Sequence, residues 1–152
     1  MEKIKLFDPS TSKSEEKSMI NVLKSHFWAS GAGTNNVQEF EKQFQKYVKS
    51  DNTVAVNSGT AALHLALSLL DISNKEVILP SLSFVSTAHS IILNNAKPIF
   101  VDVDPSTMCM DPEKIEKVIT KKTGAILPVH FGGLSCDLDS ISKLCLKYNI
   151  PF

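Results

Sequence analysis

Arginine does not occur in this chain: all 16 basic residues among its 152 are lysine, set against 16 Asp and Glu. A bidentate guanidinium grip on a carboxylate or phosphate must therefore come from another chain or from sequence outside these residues; a codon bias against arginine is the simpler cause of its absence. With a formal net charge of zero, the basic excess of a nucleic-acid binder or a polybasic membrane-surface protein is missing too. No apolar run approaches the roughly 18 residues that a bilayer-spanning helix needs. The polar opening of the chain has no apolar core of a secretory signal. Cysteine is scarce and odd in number, and Cys109, Cys136 and Cys145 form no C-x-x-C pair, which argues against a disulfide framework or a zinc site. Neither G-x-G-x-x-G nor a Walker A loop occurs, so a dinucleotide or nucleoside triphosphate site has no support. The expectation is a cytoplasmic protein with no metal, nucleic-acid or membrane partner.

What is present is a patterned α/β chain, 43% hydrophobic and 21% charged. Ser12 and Glu15 have capping-box spacing, and Met19, Ile20, Leu23 and Phe27 recur on one face of a first helix. A glycine-containing loop around Trp28, Ser30 and Gly31 follows. Asn36 and Glu39 repeat the cap spacing before Val37, Phe40, Phe44 and Val48 mark a second amphipathic helix. Short apolar runs at 53–56, 76–79, 98–101 and 124–127 read as strands. Helices are predicted over 61–70, from Phe84 to Leu93 with Ser83 as cap, from Pro112 after Asp111, and over 137–148. This alternation predicts an α/β fold with a mainly parallel sheet flanked by helices. The chain reaches Phe152 just inside a further apolar run from Ile150, and the expectation is the front part of a larger protein.

In such a sheet, ligands sit at the strand-to-helix turns. The first turn, Asn57-Ser58-Gly59-Thr60-Ala61, places a glycine and a hydroxyl at a helix start, where free N–H groups and the helix dipole favour an anion; a plain helix cap accounts for the same residues. At the second turn Phe84 could lie against a planar ring or simply fill the core. Asp102 and Asp104 suit turn and cap duty better than a metal. His130 follows the fourth strand and faces the same sheet edge, while His26, His64 and His89 read as structural or surface residues.

The strings VAVNSGTAALHLAL, EVILPSLSFVSTAHSI, AKPIFVDVDPSTMCMDPEKIE and AILPVHFGGLSCDLDSI, with HFWASGAGTNNVQEFEKQFQKYV before them, resemble the DegT/DnrJ/EryC1/StrS family. The resemblance covers nearly the whole chain in order. It implies the large domain of an aspartate-aminotransferase-type (fold type I) enzyme that uses pyridoxal 5'-phosphate. Residues 1–36 would form an N-terminal helix and substrate-side loop, and 37–152 an incomplete cofactor-binding large domain. Gly59, Thr60 and Ala61 would cradle the cofactor phosphate, and Phe84 would stack on its ring. Trp28, Ser30, Gly31 and His130 would border the substrate.

The activity implied is transfer of an amino group, from glutamate as the expected donor, to a nucleotide-linked keto-sugar by a homodimer. The family's Schiff-base lysine and the aspartate that pairs with the ring nitrogen are expected beyond Phe152, so the 152-residue polypeptide taken alone is predicted to be inactive; the unpaired edge and uncovered apolar faces of a half-built sheet predict poor solubility. Two alternatives remain: a sugar dehydratase of the same family, with histidine in place of the lysine, and a non-catalytic binding protein built on the same sheet.

Overall fold

A computed structural model describes residues 5, 8–28 and 35–152, which fall into two compact units, Met1–Ala55 and Val56–Phe152. The first unit holds α1 (Lys13–Ser25) and α2 (Asn35–Val48). The Ser12–Glu15 capping box forms in full at the start of α1, and the helix ends where His26 turns left-handed, one residue before Phe27. Asn36 does not open α2, because the helix already includes Asn35; the Glu39 carboxylate accepts from Gln43 Nε2 at 2.8 Å instead. Neither helix has a buried residue among those described, and Met19, Leu23, Phe40 and Phe44 stay exposed.

The second unit is a three-layer α/β structure. Its elements are α3 (Gly59–Ser68), β1 (Glu76–Pro80), α4 (Ser86–Leu93), β2 (Lys97–Val101), α5 (Pro112–Val118), β3 (Thr123–Ile126), a 3-10 turn (Phe131–Gly133) and α6 (Leu138–Tyr148). The three strands are all parallel in the order β2-β1-β3. Alternation along each strand sends neighbours to opposite faces. Val77, Leu79 and Ala125 join Leu67 of α3 and Ile91 of α4 on one face. Ile78, Ile126 and Val101 join Ile115 of α5 with Ile141 and Cys145 of α6 on the other.

Two details of the ladder shape the edge where ligands would sit. Toward β2, β1 stays paired as far as Pro80 with Val101, and Ser81 N–H extends the ladder to Val101 O at 2.8 Å. Toward β3, the pairing ends at Ile78 with Ile126, and the last bond runs from Leu127 N–H to Ile78 O. Gly124 is the extra residue of a bulge, since Thr123 pairs with Glu76 and Ala125 with Val77.

Three expectations need correction. The run at 53–56 forms no strand: no described strand offers it a ladder partner, and Val54 and Val56 are exposed. Ser83 is not the cap of α4. Its hydroxyl donates to Phe84 O at 3.0 Å, the helix begins only at Ser86, and the capping position falls to Val85 with no side-chain bond. Residues 150–152 are not a regular strand, although Ile126 N–H donates to Pro151 O at 3.0 Å beside β3.

Candidate functional site

The connections out of β1 and β3 decide where a ligand could enter the second unit. α4 leaves β1 for the Leu79 face, whereas α6 packs on the Ile78 face after β3. Adjacent strands whose connections go to opposite faces leave a crevice at their carboxyl ends. Phe84 lies in the turn after β1, and His130 lies four residues after Ile126 of β3. α3 leads through 69–75 to the amino end of β1, as α4 leads to β2, so both helices begin on the carboxyl side. The topology thus assigns Gly59, Thr60, Ala61, Phe84 and His130 to one edge of the sheet.

The start of α3 is built for an acceptor. Ser58 is extended, with φ −163° and ψ 157°, and its hydroxyl oxygen accepts from Ala61 N–H at 3.1 Å. Ala62 N–H returns to Ser58 O at 3.0 Å. The N–H groups of Gly59 and Thr60 have no acceptor among the described residues. Gly59 is exposed, and a Cβ there would meet nothing within 4 Å. The ligand-side set is therefore two backbone N–H groups and the Thr60 hydroxyl at the positive end of a helix. Ala61 contributes backbone shape, its N–H being already engaged.

Phe84 lies in the turn at this edge with its side chain exposed, not packed into the core. Its carbonyl accepts from both Ser83 Oγ and Thr87 N–H, each at 3.0 Å, which fixes the backbone while the side chain stays 77% exposed. An isolated exposed phenylalanine is ordinary; one anchored before a helix, at the same sheet edge as a set of free donors, suits a flat ligand.

His130 is held by its own loop: Cys136 N–H donates to Nδ1 at 3.1 Å. Gly132 and Gly133 turn that loop at φ +61° and +86°, the left-handed region that glycine adopts without strain. Beneath it, Cys136 Sγ donates to Val129 O at 3.1 Å and Cys109 Sγ to Leu134 O at 3.4 Å. Burial, together with the neighbouring Cys109 thiol, pushes the Cys136 thiol up from its ordinary value. All three cysteines are free and buried.

Trp28 belongs to the first unit, 67% exposed, with its indole N–H donating to Leu23 O at 3.3 Å. Ser30 and Gly31 lie outside the described residues. Asp104 does turn duty, accepting from both Ser106 N–H and Ser106 Oγ at 2.6 Å, and Asp102 lies 3.7 Å from Lys114 Nζ. Among the described residues no group of three His, Cys, Asp or Glu could hold a metal ion, and no helix is long and apolar enough to cross a membrane.

Two contributors escape a reading of the sequence. The amide of Asn94 donates across to His64 O in α3, a partner 30 residues away, and Cys136 orients His130 through its backbone. An Asn-Asn pair after a helix signals only a stop, and no side-chain pattern announces a backbone donor.

The profile of the DegT/DnrJ/EryC1/StrS aminotransferase family matches residues 9–152. Over 143 residues the chain is 45% identical to the spore coat polysaccharide biosynthesis protein SpsC of Bacillus subtilis (strain 168), covering 93% of this chain and 36% of that protein. It is 42% identical over 124 residues to the GDP-perosamine synthase of Caulobacter vibrioides, covering 81% of this chain and 33% of that one. The chain thus spans about a third of the length of these curated relatives. Among solved structures, NtdA of Bacillus subtilis with bound cofactor PMP superposes with a TM-score of 0.83 at 33% identity, over 91% of this chain and 32% of that one.

Proposed function

The chain belongs to the DegT/DnrJ/EryC1/StrS aminotransferase family, and from that premise we propose that it forms the cofactor-side part of a pyridoxal-phosphate enzyme that aminates a nucleotide-linked keto-sugar. The architecture agrees with the fold type I expectation: a parallel sheet flanked by helices. The observation that carries the reading is the donor-only start of α3 together with an anchored, exposed phenylalanine, both at the carboxyl edge of that sheet.

These residues fit pyridoxal phosphate by their chemistry. Phosphate oxygens are acceptors, and Gly59 N–H, Thr60 N–H and the Thr60 hydroxyl offer donors with no carboxylate among them. The planar ring matches the face of Phe84. When bound, the cofactor supplies an electron sink for carbanion chemistry. The residues of this chain bind and orient: α3 fixes the phosphate, Phe84 sets the ring plane, and His130 borders the edge with its ring held by Cys136 N–H. Trp28, Ser30 and Gly31 belong to the same proposal as substrate-side residues. Glutamate as amino donor, a lysine beyond Phe152 as proton carrier, and a homodimer complete it.

Incubation of the full-length protein, including the residues beyond Phe152, with pyridoxal phosphate, ¹⁵N-glutamate and a nucleotide-linked keto-sugar tests the reading. Label appearing on the sugar supports it. Loss of a hydroxyl without nitrogen incorporation would move the reaction to dehydration, and failure to bind the cofactor would remove the reading altogether.

A further inference from the structure

One group of cofactor contacts opens α3 and the other, Phe84, lies two residues before α4 begins, and the directional tie between the two helices among the described residues is a single side chain. α3 has a single buried side chain, Leu67, and takes no part in the sheet ladder. It packs on α4 through the apolar cluster of Leu67, Ile91 and Ala88. Apolar contact is non-directional and tolerates sliding of one helix along the other. Among the described residues, the only side-chain hydrogen bond between α3 and α4 comes from the amide of half-buried Asn94, which follows α4 and donates to His64 O at 3.1 Å and to Ser90 O at 2.8 Å. Its own N–H donates to Ile91 O at 3.1 Å, and Asn95 N–H to Ile92 O at 2.9 Å, which ends the helix. One side chain thus ties the last turn of α4 to the middle of α3, by bonds whose geometry is directional.

Resting on the cofactor reading above, we infer that Asn94 is a positioning residue: it sets the register of α3 along α4, and with it the spacing between the anion-binding start of α3 and Phe84. A ligand that touches both places senses this register. A ligand that touches only the start of α3 does not. Pyridoxamine phosphate is a rigid ring joined to a phosphate and spans both; inorganic phosphate occupies only the first.

The experiment compares Kd values of these two ligands for the full-length apoprotein and for Asn94→Asp and Asn94→Ala. Asn94→Asp keeps the shape and removes the donors; Asn94→Ala also removes the side chain. Losing one bridging hydrogen bond is expected to raise the Kd of pyridoxamine phosphate by roughly three- to tenfold in both variants. The Kd of inorganic phosphate should stay within about twofold. General destabilisation of the fold would weaken both ligands together, and that result overturns the inference, as does an unchanged Kd for pyridoxamine phosphate. Thr60→Ala is the reference arm. If it weakens neither ligand, the phosphate reading of α3 has failed; if it weakens both while the Asn94 variants are silent, only the positioning role is lost.

Discussion

Cys136 N–H points at Nδ1 of His130, 3.1 Å away, so the ring nitrogen nearest the loop is an acceptor and carries no hydrogen. The neutral ring must then hold its proton on Nε2, the nitrogen left free for a partner at the sheet edge. Ring ¹⁵N shifts of His130 should report the Nε2–H tautomer. A dominant Nδ1–H tautomer would mean that this bond does not hold the ring.

Phe84 is expected to matter to the ligand and little to the fold. With its side chain 77% exposed, Phe84→Ala should change stability by no more than about 0.5 kcal/mol. Loss of a stacked face should weaken pyridoxal phosphate binding by about 1 kcal/mol. Denaturant melts and cofactor titrations of the same variant separate the two. A large loss of stability would show the ring to be core.

The sheet was legible because β1 is a short run that is buried from Val77 to Pro80, bounded by polar loops. Asp111 was legible ahead of its helix for the same local reason, and Asp137, read as the first residue of the last helix, caps it instead; both accept from backbone N–H groups at 3.0 Å. The run at 53–56 has the same β-branched character and failed, because a strand also needs a neighbour and sequence does not display neighbours. Ser83 misled because its hydroxyl had a nearer acceptor in Phe84 O. At the site, the glycine and hydroxyl of the α3 start could be read directly, whereas the cross-helix bond of Asn94 depends on packing.

The thiols should be slow to react in the native state. Cys136 and Cys145 are pushed above their ordinary range by burial, which disfavours the thiolate, the reactive form. Iodoacetamide near pH 8 should leave Cys109, Cys136 and Cys145 largely unmodified in the folded protein and label all three after denaturation. Mass spectrometry reads the count. Rapid native labelling of Cys136 would contradict its burial.

The cap of α1 has a defined acid limit. Ser12 hydroxyl and backbone N–H, both donating to Glu15, hold its carboxyl at about 2 against an ordinary 4.5. Because the folded value is the lower one, its stabilisation is present in full above about pH 4.5 and disappears as the pH falls toward 2. An NMR titration of the Glu15 carboxyl should show the low midpoint, and Ser12→Ala should return it toward 4.5. An unchanged midpoint in that variant would break the link between the two residues.

Gly124 leaves no room for a side chain. A Cβ there would stand 3.0 Å from Lys75 Cβ and 3.3 Å from Ile72 Cγ2, neither of them the free end of a flexible chain. Gly124→Ala should cost about 1–3 kcal/mol in a urea melt. Unchanged stability would show that the loop before β1 can give way.

Proline in a central strand normally breaks a ladder, and Pro80 does so on one side only. In a parallel sheet a residue's N–H and C=O face the same neighbour, and those of Ile78 face β3, since Ile78 O accepts from Leu127. Two residues on, Pro80 faces β3 again with a ring where the hydrogen would be. Ser81 meanwhile continues the bonding toward Val101. The central strand is thus a zipper with one row of teeth cut short. The β1–β3 ladder ends at the bond from Leu127 to Ile78 O, and the missing hydrogen of Pro80 removes the donor that would carry the next one, just before the chain runs on to Phe84 and His130.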